Sequence, residues 1–331
     1  MKNILIIIIL LIIILYLKKY MTNCRYNRPV KKSSLISKED FISPNISTQS
    51  INLNKYIICY PLGGFCDMLN IINRCLEYAI KYNRILIIDA TKEWWFQQDI
   101  YKYITFTHEN IYNKLSYSNI TNNMTVYPPE FKNLINKKFN ISFISNEYYT
   151  DFKNKTETDL SIDYTEDVII YGSASGGIAY TLLNYFYFNT IITDEYYNRL
   201  NKLPKKYISF HIRNTDYKSD VDGFLLKHHQ KLINNSVFIG TDNITTRDEI
   251  KKKYGKNVYY FSDIPKVDGN NNIHYNHGNI DQTKFIIDCI VDILLLASAD
   301  EFYYSSERSG YSKFALFLFE NKNILNKILN K

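Results

Sequence analysis

The chain changes its hydrophobic period several times, and this feature constrains the fold more than any other. A short apolar run, Tyr56–Tyr60, leads into a loop with Gly63 and Gly64, and apolar residues then recur at helical spacing as far as Ile80. Arg84–Asp89 follows as a run typical of a fully buried strand. A strand, a helix and a second strand in this order predict a βαβ unit of a mostly parallel sheet.

The same alternation returns after residue 204. Apolar periodicity there predicts strands at Tyr207–Arg213, Val237–Gly240, Val258–Phe261 and Glu301–Tyr304, and helices at Arg247–Tyr254, Ile286–Ser298 and Ser312–Asn321. Residues 91–200 support one further strand only, at Val168–Tyr171. Because the βαβαβ order occurs in both halves, the sequence predicts an α/β fold with two Rossmann-like domains that face a cleft, at residues 53–204 and 205–331.

The N-terminus differs in character from the rest of the chain. Asn3–Leu17 is uncharged and dominated by Ile and Leu, with lysines on both sides. No small residues suited to signal cleavage follow Tyr16, so an uncleaved anchor is favoured over a cleaved signal peptide. The sequence therefore predicts a single-pass membrane protein, with a transmembrane signal-anchor at residues 1–20 and a polar stem at residues 21–52.

Charge and cysteine content exclude several classes of protein. The first 32 residues contain seven Lys and Arg and no acidic residue, which leaves 33 basic and 33 acidic residues for the rest of the chain. A nucleic-acid-binding body needs an excess of positive charge, so no nucleic-acid partner is expected. Five cysteines without a C-x-x-C pair indicate neither a disulfide scaffold nor a zinc ribbon.

Polar residues with binding chemistry lie at the end of the strand predicted at Tyr207–Arg213. Side chains alternate along a strand, so His211 and Arg213 point to the same face. The guanidinium of Arg213 is shaped for bidentate contact with phosphate or carboxylate, and Asp216 either holds it or caps the following turn. A purely structural ion pair between Arg213 and Asp216, without a ligand, is the alternative.

Two glycine-containing loops have both a binding and a structural interpretation. Ser309 and Gly310 precede the last predicted helix, where backbone N–H groups are able to bind an anion. An ordinary N-cap by Ser309 or Ser312 is the alternative. Gly63 and Gly64, after the first strand, have the same two interpretations.

Acidic residues supply two further candidates. Asp288 and Asp292 share one face of an apolar helix, where a guanine edge or a ribose would provide hydrogen-bond donors, and a buried cap or an arginine would do so equally well. Asp220 and Asp222 are spaced as in a D-x-D metal motif, but no apolar strand precedes them. No metal site is predicted from them.

Taken in order, these motifs resemble the fucosyltransferase superfamily. The closest likeness is to α1,6-fucosyltransferases and the rhizobial nodulation fucosyltransferase, with the α1,2 group next, and it extends over roughly residues 56–320. The matching segments are Gly63-Gly64-Phe65, His211-x-Arg213-x-Thr215-Asp216, Val237 to Asn243, Tyr260 to Asp263, Asp292 with Leu296 to Asp300, and Ser309-Gly310-Tyr311-Ser312. The resemblance implies a GT-B fold that holds GDP-fucose mainly through its C-terminal domain, inverts the anomeric carbon, and needs no metal or other cofactor.

The resemblance also implies roles for individual residues. Arg213 would bind the GDP diphosphate with Asp216 beside it, and the donor-binding residues would be His211, Asp242, Asp292, Ser309, Gly63 and Gly64. The catalytic glutamate of the family falls near Val221, so Asp220 or Asp222 is the expected general base. Four positions depart from the family: Asn214 replaces a second arginine, Tyr217 replaces a lysine, and Cys66-Asp67 replaces Gly-Asn.

The predicted function is an inverting, metal-independent glycosyltransferase that moves fucose, or a related deoxyhexose, from a GDP-sugar to a glycan or glycoprotein acceptor. Two alternatives stay open: the same fold with another nucleotide-sugar donor, such as a rhamnose or an amino-deoxy sugar, and a catalytically inactive carbohydrate-binding surface protein. Orientation in the membrane is also open. The basic residues after the apolar segment favour the cytosolic face, whereas Golgi-type transferases face the lumen.

Overall fold

The computed structural model describes residues 55–93, 95–133, 135, 158–173, 176–266, 273 and 281–330. The strands are β1 (Tyr56–Pro61), β2 (Ile85–Ile88), β3 (Ile104–Phe106), β4 (Val126–Tyr127), β5 (Val168–Ser173), β6 (Phe186–Phe188), β7 (Ile208–Ile212), β8 (Val237–Thr241), β9 (Val258–Tyr259) and β10 (Glu301–Tyr304). The α-helices are α1 (Phe65–Lys81), α2 (Thr190–Leu200), α3 (Val221–Lys227), α4 (His229–Asn234), α5 (Ile244–Tyr254), α6 (Gln282–Ser298), α7 (Gly310–Glu320) and α8 (Lys322–Ile328).

The first half of this region contains a four-stranded parallel sheet in the order β2-β1-β5-β4. All six residues of β1 are buried, as expected for a central strand covered on both faces. From β1 the chain passes through α1 to β2 on one side, and β5 lies on the other side. The strand order therefore reverses between β1 and β5, and such a switch point leaves a crevice at the carboxyl ends of the strands.

The second half contains another four-stranded parallel sheet, in the order β10-β7-β8-β9. From β7 the chain passes through α3 and α4 to β8, and then through α5 to β9. Helix α6 returns it to β10, on the other side of β7. The switch point of this sheet therefore lies between β7 and β10, directly at the His211–Asp216 segment.

The two sheets share one hydrophobic core. A single cluster of buried side chains extends from Ile57 in β1 through Leu294 in α6 to Phe314 in α7. Helix α7 packs against both α6 and α1, and the ring of Trp95 meets that of Phe285 edge-on at 6.1 Å. The halves are thus joined by packed apolar surface, while the domain boundary near residue 204 stays a prediction.

The second half follows the predicted order closely. The strand at Glu301–Tyr304 has its predicted bounds, and α7 begins two residues before the predicted Ser312. The first half differs, because α1 is the one helical crossover among its described residues up to β5. Residues 90–131 instead form 3-10 turns and short strands around buried aromatic rings. Helix α2 was not predicted, because the buried face that it presents includes Arg199.

The prediction of membrane localisation is wrong for the part of the chain that the structure describes. No helix there is long and apolar enough to cross a membrane. The longest, α1 and α6, have 17 residues each, and both include charged side chains, such as Arg74 in α1 and Asp292 in α6. The predicted anchor at residues 1–20 and the stem at residues 21–52 lie outside the described residues.

Candidate functional site

Arg213 lies just beyond the carboxyl end of β7, between the loops that follow β8 and β10. Its Nε is 3.0 Å from Asp242 Oδ2, and its Nη2 is 2.5 Å from Asp216 Oδ1. Its backbone N–H donates to Ser305 Oγ at 3.0 Å. The ion pair with Asp216 that the sequence left as the structural alternative is therefore present. About a fifth of the Arg213 side chain stays exposed (20%), so the guanidinium is oriented but not enclosed.

Asp242 is the buried member of this group. Its Oδ1 accepts from the Asn214 N–H at 2.7 Å, and its Oδ2 accepts from the Thr215 hydroxyl at 2.6 Å. Burial raises the pKa of Asp242, and the nearby charge of Arg213 opposes that shift. These contacts tie the turn after β7 to the end of β8, so that Asp242 acts as a support for Arg213.

His211 lies in β7, two residues before Arg213, and is buried. Its Nδ1 lies 2.6 Å from Ser312 Oγ, and its ring stacks on Tyr311 with centroids 4.9 Å apart. Burial, and secondarily the positive charge of Arg213, lowers the pKa of His211 to about 3. The imidazole is therefore neutral at physiological pH and adds no positive charge to the site.

Ser309 stands at the N-terminus of α7. Its Oγ accepts from the Ser312 N–H at 3.2 Å, which is the ordinary N-cap that the sequence left as an alternative. The Ser305 N–H donates to the His211 carbonyl at 3.0 Å, so the loop before α7 runs beside the end of β7. Arg213 and the positive end of the α7 dipole therefore flank the same switch point.

The Gly63-Gly64 loop follows β1 in the first sheet. Gly63 has φ +90°, a left-handed conformation that favours glycine. Its N–H donates to Glu93 Oε2 at 3.2 Å, and its carbonyl accepts from Trp95 Nε1 at 2.7 Å. Burial raises the pKa of Glu93 to about 8, with a smaller contribution from the negative charge of Asp67. Glu93 was not predicted from the sequence, because no motif marks it.

Asp67 lies between this loop and the N-terminus of α7. Its Oδ2 accepts from the Gly64 N–H at 3.2 Å. Its Oδ1 lies 3.6 Å from the position that a Cβ would occupy at Gly176, and 4.0 Å from the same position at Gly310. Burial raises the pKa of Asp67, against the effects of the Gly64 N–H and the charge of Arg213. The sequence marked this residue only as a departure from the family.

Asp288 and Asp292 lie on the buried face of α6, as their spacing predicted. Arg199 of α2 hydrogen-bonds Asp288 Oδ1 through its Nη2, and its Nη1 is 3.7 Å from Asp292 Oδ1. The arginine partner that the sequence left open is therefore present, 89 residues away along the chain. Burial raises the pKa of Asp292 to about 7, and its Oδ1 accepts no hydrogen bond from the described residues.

The structure places Asp220 and Asp222 at the start of α3. Asp220 is the N-cap, and its Oδ1 accepts from the Gly223 N–H at 2.9 Å. Asp222 is exposed in the first helical turn. Among the described residues, no group of three or more His, Cys, Asp and Glu side chains is arranged to hold a metal ion.

No protein-family model and no curated protein matches the sequence at a significant level. Among solved structures, NodZ alpha-1,6-fucosyltransferase co-crystallised with GDP matches with a TM-score of 0.52 and 13% identity, over 80% of this chain and 92% of that one. Selenomethionine NodZ from Bradyrhizobium matches with a TM-score of 0.52 and 14% identity, over the same shares of 80% and 92%. NodZ soaked with GDP-fucose matches with a TM-score of 0.51 and 14% identity, again over 80% and 92%. The resemblance to fucosyltransferases is therefore confirmed at the level of the fold, a mixed α/β fold of GT-B type.

Proposed function

We propose that the chain is a glycosyltransferase that transfers fucose from GDP-fucose to a glycan acceptor, with inversion and without a metal. One observation carries the proposal. Arg213 is held at the switch point of the second sheet, next to the N-terminus of α7, in a fold shared with a GDP-bound fucosyltransferase. A cation beside a helix N-terminus is the arrangement that stabilises negative charge developing on a departing diphosphate.

The two ion pairs of Arg213 are unequal, which supports a role toward a ligand. The Asp242 side chain is 6% exposed, whereas that of Asp216 is 33% exposed. A diphosphate that enters from the crevice competes with the exposed carboxylate and leaves the buried pair in place. Asp242 then orients the guanidinium, and the N–H group released from Asp216 donates to a phosphate oxygen.

Asp292 suits recognition of the guanine. Its Oδ1 is buried without a hydrogen-bond donor among the described residues, and the N1–H and N2–H₂ groups of guanine are donors. Arg199 favours the ionised form of Asp292, which is the form that accepts both hydrogen bonds. Uracil and thymine each offer only one N–H group on that edge.

Calorimetric titration of the full-length chain with GDP, UDP and dTDP tests the donor class. We expect GDP to bind at least about tenfold more tightly than either pyrimidine nucleotide, a difference of about 1.4 kcal/mol. We expect Arg213→Ala to weaken GDP binding and to reduce GDP-fucose hydrolysis by about 100-fold or more. Lys205→Ala, at an exposed lysine, is the control.

The competing hypotheses give different results in the same titrations. Tighter binding of UDP or dTDP than of GDP would assign another nucleotide sugar to the fold. The alternative of a catalytically inactive carbohydrate-binding protein rests on Asn214. This residue stands where the family has a second arginine, and its side chain donates to Thr246 Oγ1 at 2.9 Å. Glycan binding without affinity for any nucleotide would favour that alternative.

A further inference from the structure

Resting on the proposed function, we propose that Asp67 is the general base that accepts the proton of the attacking hydroxyl group. It lies on the first turn of α1, in the first half of the chain, whereas Arg213 lies in the second. Its Oδ2 accepts from the Gly64 N–H in its own half, and its Oδ1 lies 4.0 Å from the position that a Cβ would occupy at Gly310 in the other half.

The position of each Asp67 oxygen supports this role. Oδ2 accepts from the Gly64 N–H, and Oδ1 lies 3.6 Å and 4.0 Å from the positions that a Cβ would occupy at Gly176 and Gly310. Gly176 follows β5 at the first switch point, and Gly310 opens α7 at the second. Oδ1 therefore lies on the side of the first-sheet loops, within reach of the first turn of α7.

An inverting displacement needs this separation of roles between the two sheets. The acceptor oxygen attacks the anomeric carbon from the face opposite to the leaving diphosphate. Its proton passes to Asp67 Oδ1, its lone pair forms the new bond to carbon, and the electrons of the broken carbon–oxygen bond leave on GDP. Asp67 afterwards returns the proton to solvent. Arg213 stabilises one end of this reaction and Asp67 acts at the other.

The surroundings of Asp67 tune it for proton transfer. Partial burial raises the pKa of Asp67 above its ordinary value, which makes the carboxylate a stronger base. The nearby charge of Arg213 favours the carboxylate form of Asp67, and Glu93, whose pKa is about 8, is mostly uncharged at pH 7. The Cys66 thiol is buried and its pKa is raised, so it stays neutral beside Asp67.

The carboxylates near Val221 are less well placed for this step. Asp220 caps α3 through the Gly223 N–H, as Asp67 caps α1 through the Gly64 N–H, so capping does not distinguish these two residues. Asp222 is exposed on the first turn of α3. Asp220 and Asp222 both belong to the same half of the chain as Arg213. Their variants therefore serve as direct competitors to Asp67 in the test.

The test uses the full-length chain and GDP-fucose with water as the acceptor, so that no glycan has to be identified. We expect Asp67→Asn to lower the kcat of hydrolysis by about 100-fold or more, since general bases contribute about 10²–10⁴-fold. GDP affinity by calorimetry should stay within about threefold, because a base does not hold the nucleotide. The acid limb of the kcat–pH profile should disappear. Asp194→Asn, at an exposed aspartate of α2, is the matched control.

A second variant separates catalysis from folding. Asp67→Ser keeps a hydroxyl acceptor for the Gly64 N–H and leaves a space that formate is able to enter. Added formate should restore part of the hydrolysis in Asp67→Ser and none in Arg213→Ala. A merely structural role of Asp67 predicts no rescue.

The outcomes separate this proposal from the proposed function. Wild-type kcat in Asp67→Asn, or a 100-fold loss in Asp222→Asn or Asp220→Asn instead, would overturn the role of Asp67 while GDP-fucose hydrolysis by the unchanged chain upholds the function. Failure of the unchanged chain to bind GDP or hydrolyse GDP-fucose would overturn both. Loss of kcat in Asp67→Asn with GDP binding intact, together with formate rescue, supports the assignment.

Discussion

Three acidic residues surround the single positive charge of Arg213, and this sets the electrostatics of the site. Asp216 and Asp242 pair with it, and the charge of Asp67 faces it from the other half. Burial raises the pKa of both Asp67 and Asp242. Burial disfavours the charged form of each carboxylate, and the positive charge of Arg213 opposes that effect in both.

Arg199 is the residue whose removal should most damage stability. It neutralises buried Asp288 and Asp292 and is also paired with Glu195 at 2.6 Å. We predict that Arg199→Met lowers the free energy of unfolding by about 3–5 kcal/mol at pH 8, because buried Asp292 loses this arginine and buried Asp288 retains Lys284 as its cation. Urea denaturation measures this.

The loss in Arg199→Met should shrink at pH 5.5, since Asp292 has a pKa of about 7 and is then protonated. Lys205→Met, at an exposed position, should change the free energy of unfolding by less than about 0.5 kcal/mol. Equal losses for the two variants would contradict the structural role of Arg199.

Glu93 should make stability depend on pH in the opposite sense to an ordinary acid. Its pKa in the folded chain is about 8, above the unfolded value near 4.5, so the folded state binds its proton more tightly. The stability that it contributes is complete below the unfolded pKa and is lost as the pH rises through 8.

We predict that Glu93→Gln, which still accepts from the Gly63 N–H, matches the unchanged chain at pH 4. At pH 9 the variant should be more stable by roughly 2–5 kcal/mol, because no charge has to be buried. Urea denaturation across this pH range measures the difference. A constant difference between the two proteins would show that Glu93 does not titrate with a raised pKa.

At the scale of elements, the N-terminus of helix α7 combines a structural role with a binding role. Its N-terminus needs a cap, which Ser309 provides, and in the proposed function the same N–H groups face the diphosphate. Capping and ligand binding can be separated by the charge of the capping residue, because serine and aspartate both cap well while only aspartate repels phosphate.

We predict that Ser309→Ala lowers the free energy of unfolding by about 1 kcal/mol through loss of the cap. Ser309→Asp should keep the stability of the unchanged chain and weaken GDP binding by about tenfold or more, since the added carboxylate repels the phosphates. Thermal unfolding and calorimetric titration give the two readouts. Unchanged GDP affinity in Ser309→Asp would place the diphosphate elsewhere.

At the scale of the whole molecule, one core spans both sheets. Leu294 of α6 is fully buried in the cluster that also contains Ile57 of β1 and Phe314 of α7. Each sheet also packs on a cluster of its own half, but the shared burial couples the folding of the halves, since both contribute side chains to the same core.

We predict that the chain from residue 55 onward unfolds in one transition and that Leu294→Ala lowers its free energy of unfolding by about 2–5 kcal/mol. Hydrogen exchange should show equal losses of protection for amides of β1 and β7. Faster exchange confined to β7 would mean that the halves unfold separately.

The elements of the second half were predictable because local information is sufficient there. Its strands are short apolar runs and its helices have regular apolar spacing, as at Glu301–Tyr304 and α7. Residues 91–200 were not predictable in the same way. Their aromatic side chains are buried by contacts with distant helices, as Trp95 is by Phe285, and such contacts leave no local period.

The sequence by itself determined the parallel α/β class and which residues stand at the ends of β7 and β10, because strand order and side-chain alternation are local properties. Only the tertiary structure decided which side chains lie next to one another. Arg199 hydrogen-bonds Asp288, which is 89 residues away along the chain, and Glu93 accepts from Gly63, which is 30 residues away. Asp67 lies near Gly310 of the other half. Pairing over such separations depends on how the helices pack against the sheets, and that packing is set by the whole core at once.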